Sequence, residues 1–101
     1  MAAALSNPQK RYLRGLAHDL KPVLLVGAKG ITDNLVAEAG IALGHHELIK
    51  VKVAAGDREL RDEWLAELCE RADAALVTRI GNIGVLYKRS PDNPLIMLPK
   101  G

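Results

Sequence analysis

The chain has 101 residues, of which 49% are hydrophobic and 26% charged, with a net charge of +2. This composition is typical of one globular domain, and the single cysteine, Cys69, excludes an internal disulfide. No apolar run is long enough to span a membrane, and the first residues lack the order of a signal peptide, so we expect a cytoplasmic protein.

The first helix is predicted to begin at a cap formed by Ser6 or Asn7, with Pro8 at its first position. It should end near Leu20, because Pro22 disfavours helical geometry in the residue before it. The apolar positions with helical spacing are Tyr12, Leu13, Leu16, Ala17 and Leu20, and the other side carries Lys10, Arg11, Arg14 and His18.

Residues 22–26, PVLLV, are predicted to form a short, fully buried strand, followed by a loop at Gly27–Gly30. A second helix should start at a cap formed by Thr32 or Asp33 and end at or close to Gly44. Its expected buried face consists of Leu35, Val36, Ala39 and Leu43.

In residues 48–53, lysines alternate with apolar side chains, which predicts a strand with one solvated or functional face. A third helix is expected from a cap at Asp57 to about Ala72, with Trp64 on its buried face. Strands at 75–80 and 85–88 should pair as a hairpin, and the apolar segment PLIMLP should pack on the sheet or add an edge strand. The order α-β-α-β-α-β-β predicts an α/β domain with a four-stranded mixed sheet.

Charge is distributed unevenly along the chain. Residues 1–31 contain five basic residues and one acidic residue, whereas residues 57–73 contain seven acidic and three basic residues. This segregation predicts a basic face and an acidic face, although ordinary scatter of surface charge remains an alternative. A basic face is typical of proteins that bind nucleic acid.

Enzyme chemistry has little support in the sequence. The segment GAKG matches neither the P-loop nor the dinucleotide-binding pattern. His45 and His46 are adjacent and point in different directions on a helix, and Cys69 has no obvious base beside it. We therefore expect no catalytic residues, no metal and no cofactor.

The loop GAKG lies between a predicted strand and a capped helix. A Gly-x-x-Gly loop in this position is how KH-type modules clamp a nucleic-acid backbone, with the glycines permitting close approach. A lysine between the glycines can meet a phosphate. A simple tight turn between strand and helix remains the alternative, because the four-residue pattern is weak alone.

Three segments, QKRYLRGLAHDLKPVLLVGAKGIT, HHELIKVKV and ALVTRIGNIGVLYKRS, closely resemble the CRM domain (chloroplast RNA splicing and ribosome maturation) in its bacterial stand-alone form, the YhbY family. The resemblance extends from about Leu5 to Leu98, within one domain over residues 1–101. It implies a fold similar to the C-terminal domain of translation initiation factor 3. It also implies binding to RNA, specifically large-subunit ribosomal RNA or a pre-50S particle.

The resemblance places the RNA-contact loop on Gly27, Ala28, Lys29 and Gly30. The bases Lys10, Arg11, Arg14 and Lys21 would extend that surface. Ala28 departs from the polar or basic residue expected in many relatives, which puts a second charged loop contact in doubt. A monomer without a membrane or small-molecule partner is expected.

Aromatic residues are too scarce for a base-stacking platform, so phosphate, sugar and shape should dominate recognition. Trp64 is predicted to lie in the core and Tyr12 on the apolar side of its helix, which leaves Tyr87 as the one available ring. Two other functions stay open: a protein-docking adaptor that uses the acidic third helix, and an enzyme acting on a phosphorylated small molecule at Gly27–Gly30.

Overall fold

The computed structural model describes residues 5–91 and 94–100, which form three helices and four strands in the order that the sequence predicts. The α/β class and the α-β-α-β-α-β-β order are therefore confirmed. The elements are α1 (Asn7–Ala17), β1 (Pro22–Val26), α2 (Asp33–His46), β2 (Leu48–Val53), α3 (Arg58–Ala72), β3 (Ala75–Ile80) and β4 (Ile83–Tyr87).

The strands form one mixed sheet in the order β1-β2-β4-β3. β1 and β2 are parallel, as expected for two strands joined by a helix, and β4 is antiparallel to both β2 and β3. The predicted hairpin of β3 and β4 is confirmed, with Gly81 at its turn in a positive-φ conformation. β4 therefore lies inside the sheet, and β1 and β3 lie at its edges.

Different helices cover the two faces of the sheet. α2 and α3 pack on one face, here called the α2/α3 face, and α1 packs on the other, the α1 face. Successive side chains of β2 point to opposite faces of the sheet, so Leu48 belongs to the α1 cluster whereas Ile49 and Val51 belong to the α2/α3 cluster. β2 therefore contributes side chains to both apolar clusters.

The prediction that β1 is fully buried is wrong. Val23 is 50% exposed and Leu25 is 58% exposed, whereas Val26 is buried. The reason is topological, because β1 is an edge strand and α1 does not extend over all of its α1 face. An apolar run in the sequence does not reveal where a strand lies within its sheet.

Several element ends differ from the predicted ones. α1 stops at Ala17 rather than near Leu20, and the backbone N–H of Leu20 donates to the carbonyl of Ala17 in a closing turn. α2 passes Gly44 and reaches His46, and β4 begins at Ile83 instead of residue 85. The predicted caps hold at the amino ends of both helices: Ser6 forms a capping box with Gln9, and the hydroxyl of Thr32 accepts from the N–H of Leu35.

Glu47 joins the end of α2 to the carboxyl-terminal segment. Its side chain is fully buried and its φ is +59°. The carboxylate accepts hydrogen bonds from the backbone N–H groups of Ser90 (2.6 Å), Leu95 (2.9 Å) and Ile96 (2.8 Å). The segment PLIMLP therefore packs on the α1 cluster through Ile96 and Leu98, and its described residues form no strand.

Replacement of Glu47 should be strongly destabilising. Glu47→Ala removes the acceptor of three partly buried N–H groups, and we expect the free energy of unfolding to fall by about 3 kcal/mol or more, since each hydrogen bond to a charged group contributes about 1.5–3 kcal/mol. Urea denaturation measures the change, with Glu63→Ala on the exposed side of α3 as the control. Equal midpoints for the two variants would contradict the role assigned to Glu47.

Candidate nucleic-acid interface

The segment Gly27–Gly30, the GAKG loop, follows the carboxyl end of β1 and leads into α2. The N–H of Gly30 donates to the carbonyl of Gly27 at 3.0 Å, which closes a tight turn. Ala28 and Lys29 are exposed at its tip. The turn therefore holds the Lys29 ammonium in solvent at the carboxyl end of the strand.

The structure gives different reasons for glycine at the two ends of the loop. Gly30 has a φ of +74°, and a Cβ there would lie 3.1–3.3 Å from ring atoms of Trp64. Gly27 has an ordinary backbone conformation, and a Cβ there would meet nothing within 4 Å. Gly30 is required by the fold, whereas the fold leaves open space beside Gly27 that a ligand backbone could occupy.

Trp64 is half-buried and packs against the α2/α3 cluster, in agreement with its predicted core position. The same indole ring also lies against Gly30. Trp64 therefore connects the α2/α3 core to the GAKG loop. Helical spacing within α3 cannot reveal this contact, because it depends on how the loop passes over the helix.

A groove of about 460 Å³ lies beside the GAKG loop, lined by the loop, Leu25 and the first turns of α2. Free N–H groups at a helix start attract anions. Asp33, in this first turn, is ion-paired with Arg71 of α3, which offsets its repulsion of a phosphate. Glu38 also lines the groove and keeps one acidic side chain at its α2 side.

The predicted basic residues of the first helix lie on the α1 face. Arg11 and Arg14 are exposed and Lys10 is half-buried, while Leu13 and Ala17 form the buried stripe of α1. On α1, Lys10 and Arg14 lie on one side of this stripe and Leu16 lies on the other.

An apolar cavity of about 420 Å³ lies beside the amino end of β1. Leu16 of α1 and Leu20 line it together with Val23, His46 and Ile96. Lys10 and Arg14 lie on the opposite side of the buried stripe of α1 from Leu16, away from this cavity.

Lys21 is exposed and lines the apolar cavity beside the amino end of β1. It therefore stands at the other end of β1 from the GAKG loop. Of the eight predicted site residues, four form the GAKG loop, three stand on α1, and Lys21 precedes β1.

Two lysines of β2 lie between the loop and α1. Lys52 is exposed and pairs with Leu25 of β1, and the Lys50 ammonium donates to the carbonyl of His18 at 3.3 Å. Neither lysine is among the predicted site residues. Their alternation with apolar residues in the sequence was the signal that could have identified them as part of the site.

The expectation about tyrosines is wrong. Tyr87 is 4% exposed, because β4 is an inner strand and α1 packs over that end of it. Burial, and then the negative charge of Glu47, raises the pKa of Tyr87. Tyr12 is 42% exposed and is the more available ring.

The single cysteine, Cys69, is buried. Burial raises the pKa of the Cys69 thiol to about 11, so the reactive thiolate is scarce at neutral pH. Within 5–91 and 94–100, no three His, Cys, Asp or Glu side chains are grouped to hold a metal ion. None of the helices in these ranges is both long and apolar enough to cross a membrane.

The chain is similar to several known proteins over most of its length. It is 47% identical over 96 residues to an RNA-binding protein of Haemophilus influenzae, covering 95% of this chain and 96% of that one. It is 41% identical over 95 residues to the probable RNA-binding protein YqeI of Bacillus subtilis, covering 94% and 99%.

A solved structure and a family model agree with these relatives. The solution structure of a Staphylococcus aureus protein, described as a candidate RNA-binding protein, superposes with a TM-score of 0.84 at 38% identity, covering 95% of this chain and all of that one. The model of the CRS1 / YhbY (CRM) domain matches residues 5–88. The chain therefore belongs to the CRS1 / YhbY (CRM) domain family.

Proposed function

We propose that this protein binds RNA by holding the phosphate backbone at the GAKG loop, and that the basic residues of α1 extend the contact. The observation that carries the proposal is the exposed Lys29 at the tip of a turn whose Gly27 side is open. A phosphate can approach Lys29 and the start of α2 together. The names of the relatives, which are RNA-binding proteins, support the same ligand.

The arrangement of charge supports an anionic partner on the α1 face. Lys10, Arg11, Arg14 and Lys52 stand on this face or its helix. On α3, by contrast, Asp62 is ion-paired with Arg79 and Glu67 with Arg71, which also pairs with Asp33 of α2. The protein's own bases therefore partly neutralise the acids of α3, which makes α3 a weaker candidate for a docking surface.

We propose large-subunit ribosomal RNA, or a pre-50S particle, as the RNA, and assembly of that subunit as the process. This part of the proposal comes from the family resemblance in the three sequence segments. It also assumes a cytoplasmic monomer without catalytic activity. Crosslinking in cells followed by RNA sequencing, together with sedimentation of the protein with ribosomal particles, tests it directly. Crosslinks confined to other RNAs would overturn the ribosomal assignment.

Lys29→Glu should weaken RNA binding without unfolding the protein, because Lys29 is exposed. We expect a loss of about tenfold or more, since a hydrogen bond to a charged group contributes about 1.5 kcal/mol. The salt dependence of log affinity should also fall by about 0.7–0.9, the value of one phosphate contact. Lys100→Glu, at an exposed lysine of the carboxyl-terminal segment, is the control, and equal affinities of both variants would exclude Lys29 from the contact.

Substitutions at the two loop glycines should have different effects on stability and on RNA binding. Gly30→Ala should lower the free energy of unfolding by about 1–3 kcal/mol, because φ is positive and Trp64 blocks the added methyl group. Gly27→Ala should keep full stability, since its Cβ meets open space, and should lose RNA affinity if the RNA backbone approaches there. Full RNA affinity in stable Gly27→Ala would show that the backbone does not approach Gly27.

The triple variant Lys10→Ala, Arg11→Ala, Arg14→Ala should weaken binding to all RNA sequences alike, because phosphate contacts carry little sequence information. The salt slope should fall by about 2, corresponding to three contacts. Lys21→Ala, at the far end of β1, should change affinity much less. A triple variant that lost one RNA sequence and kept others would instead indicate base recognition by α1.

A further inference from the structure

The α1 face of the sheet consists of cross-strand rows of paired residues, and α1 covers only some of them. Leu48 and Tyr87 pair in a buried row, and Lys50 and Val85 pair in the next, where Val85 is also buried. Beyond them, at the carboxyl end of β1, one row continues across all four strands. This open row consists of Leu25, Lys52, Ile83 and Ile80.

The open row is apolar at both ends and exposed. Leu25 is 58% exposed and Ile80 is 66% exposed, with the half-buried Ile83 and the exposed Lys52 between them. Neighbouring strands are about 4.8 Å apart, so four strands give a row about 14 Å long. None of these four residues belongs to the apolar cluster under α1.

The open row is continuous with the GAKG loop. Leu25 lines the same groove as Gly27 and Lys29, and it precedes Gly27 by two residues on the strand. A strand of RNA held by the loop therefore has Leu25 as its next neighbour on the sheet. From there the row leads across Lys52 to Ile80 at the opposite edge.

The charges around the open row favour a nucleic acid over an apolar protein segment. Lys52 stands within the row and Lys50 in the row below. Lys29 is exposed and lines the same groove as Leu25 at one end of the row. An apolar strip bordered by basic residues fits a ligand with apolar faces and an anionic backbone.

We propose that the open row receives unpaired bases of a single-stranded RNA segment whose backbone is held by the GAKG loop. The aliphatic side chains contact the faces of the bases, and Lys52 contacts a phosphate. A duplex cannot make this contact, because its base faces are stacked and only groove edges are accessible. This inference rests on the proposed function, and it adds that the protein prefers single strands.

The first test compares three RNA probes of equal length: a single strand, the same backbone without bases, and a duplex. Wild-type protein should bind the single strand about tenfold or more tightly than the other two probes, in line with the free energy of one or two base contacts. Equal binding of the single strand and the abasic backbone would overturn the base contact while leaving the backbone clamp intact. Failure to bind any of the three would overturn the clamp as well.

The second test uses Leu25→Thr with Ile80→Thr, which places a β-branched residue with good strand propensity at both positions. Single-strand affinity should fall about five- to tenfold with an unchanged salt slope, because apolar contacts and no phosphate contacts are lost. Lys52→Gln should instead reduce the slope by about 0.7. Ile41→Thr, at an isoleucine of α2 that is 64% exposed, is the matched control and should leave affinity unchanged.

Circular dichroism and urea denaturation confirm that each variant is folded. Unchanged single-strand affinity in a folded Leu25→Thr, Ile80→Thr variant would overturn the proposal. An equal loss for the abasic backbone would overturn it too, because the row would then act through the backbone and not through bases.

Discussion

The packing of Trp64 against Gly30 is the contact on which the candidate site depends. It fixes the GAKG loop to α3, and α3 is anchored through Leu65 and Leu68 in the α2/α3 core. The positive φ of Gly30 then completes the turn that leaves Lys29 in solvent. A loop tied to the core in this way presents its ammonium group in a fixed place, so little conformational entropy is lost on binding.

The limited reach of α1 divides the sheet into a structural half and an open half. Near Leu48 and Tyr87, α1 and the carboxyl-terminal segment cover the sheet, and Glu47 holds that segment through three backbone N–H groups. Near Leu25 and Ile80, neither covers it. Stability is thus concentrated at one end of the strands, and exposed surface for a ligand at the other, beside the GAKG loop.

The charges follow the same division. Asp62 and Glu67 of α3 and Asp33 of α2 form ion pairs with Arg79 and Arg71, while Lys52 stands exposed in the open half. Exposed ion pairs contribute little to stability. Their value here is that they reduce the negative potential next to Lys29, since Asp33 lies within three residues of the loop.

The order of elements could be predicted from the sequence, as could the caps at Ser6 and Thr32 and the alternation of β2, because each depends on residues close together in the chain. The position of the GAKG loop between a strand and a helix was predictable for the same reason. The sequence did not reveal that β1 is an exposed edge, that Tyr12 rather than Tyr87 is accessible, or that Gly30 contacts Trp64. These properties arise from strand order and from contacts between distant segments, and neither local periodicity nor residue type carries that information.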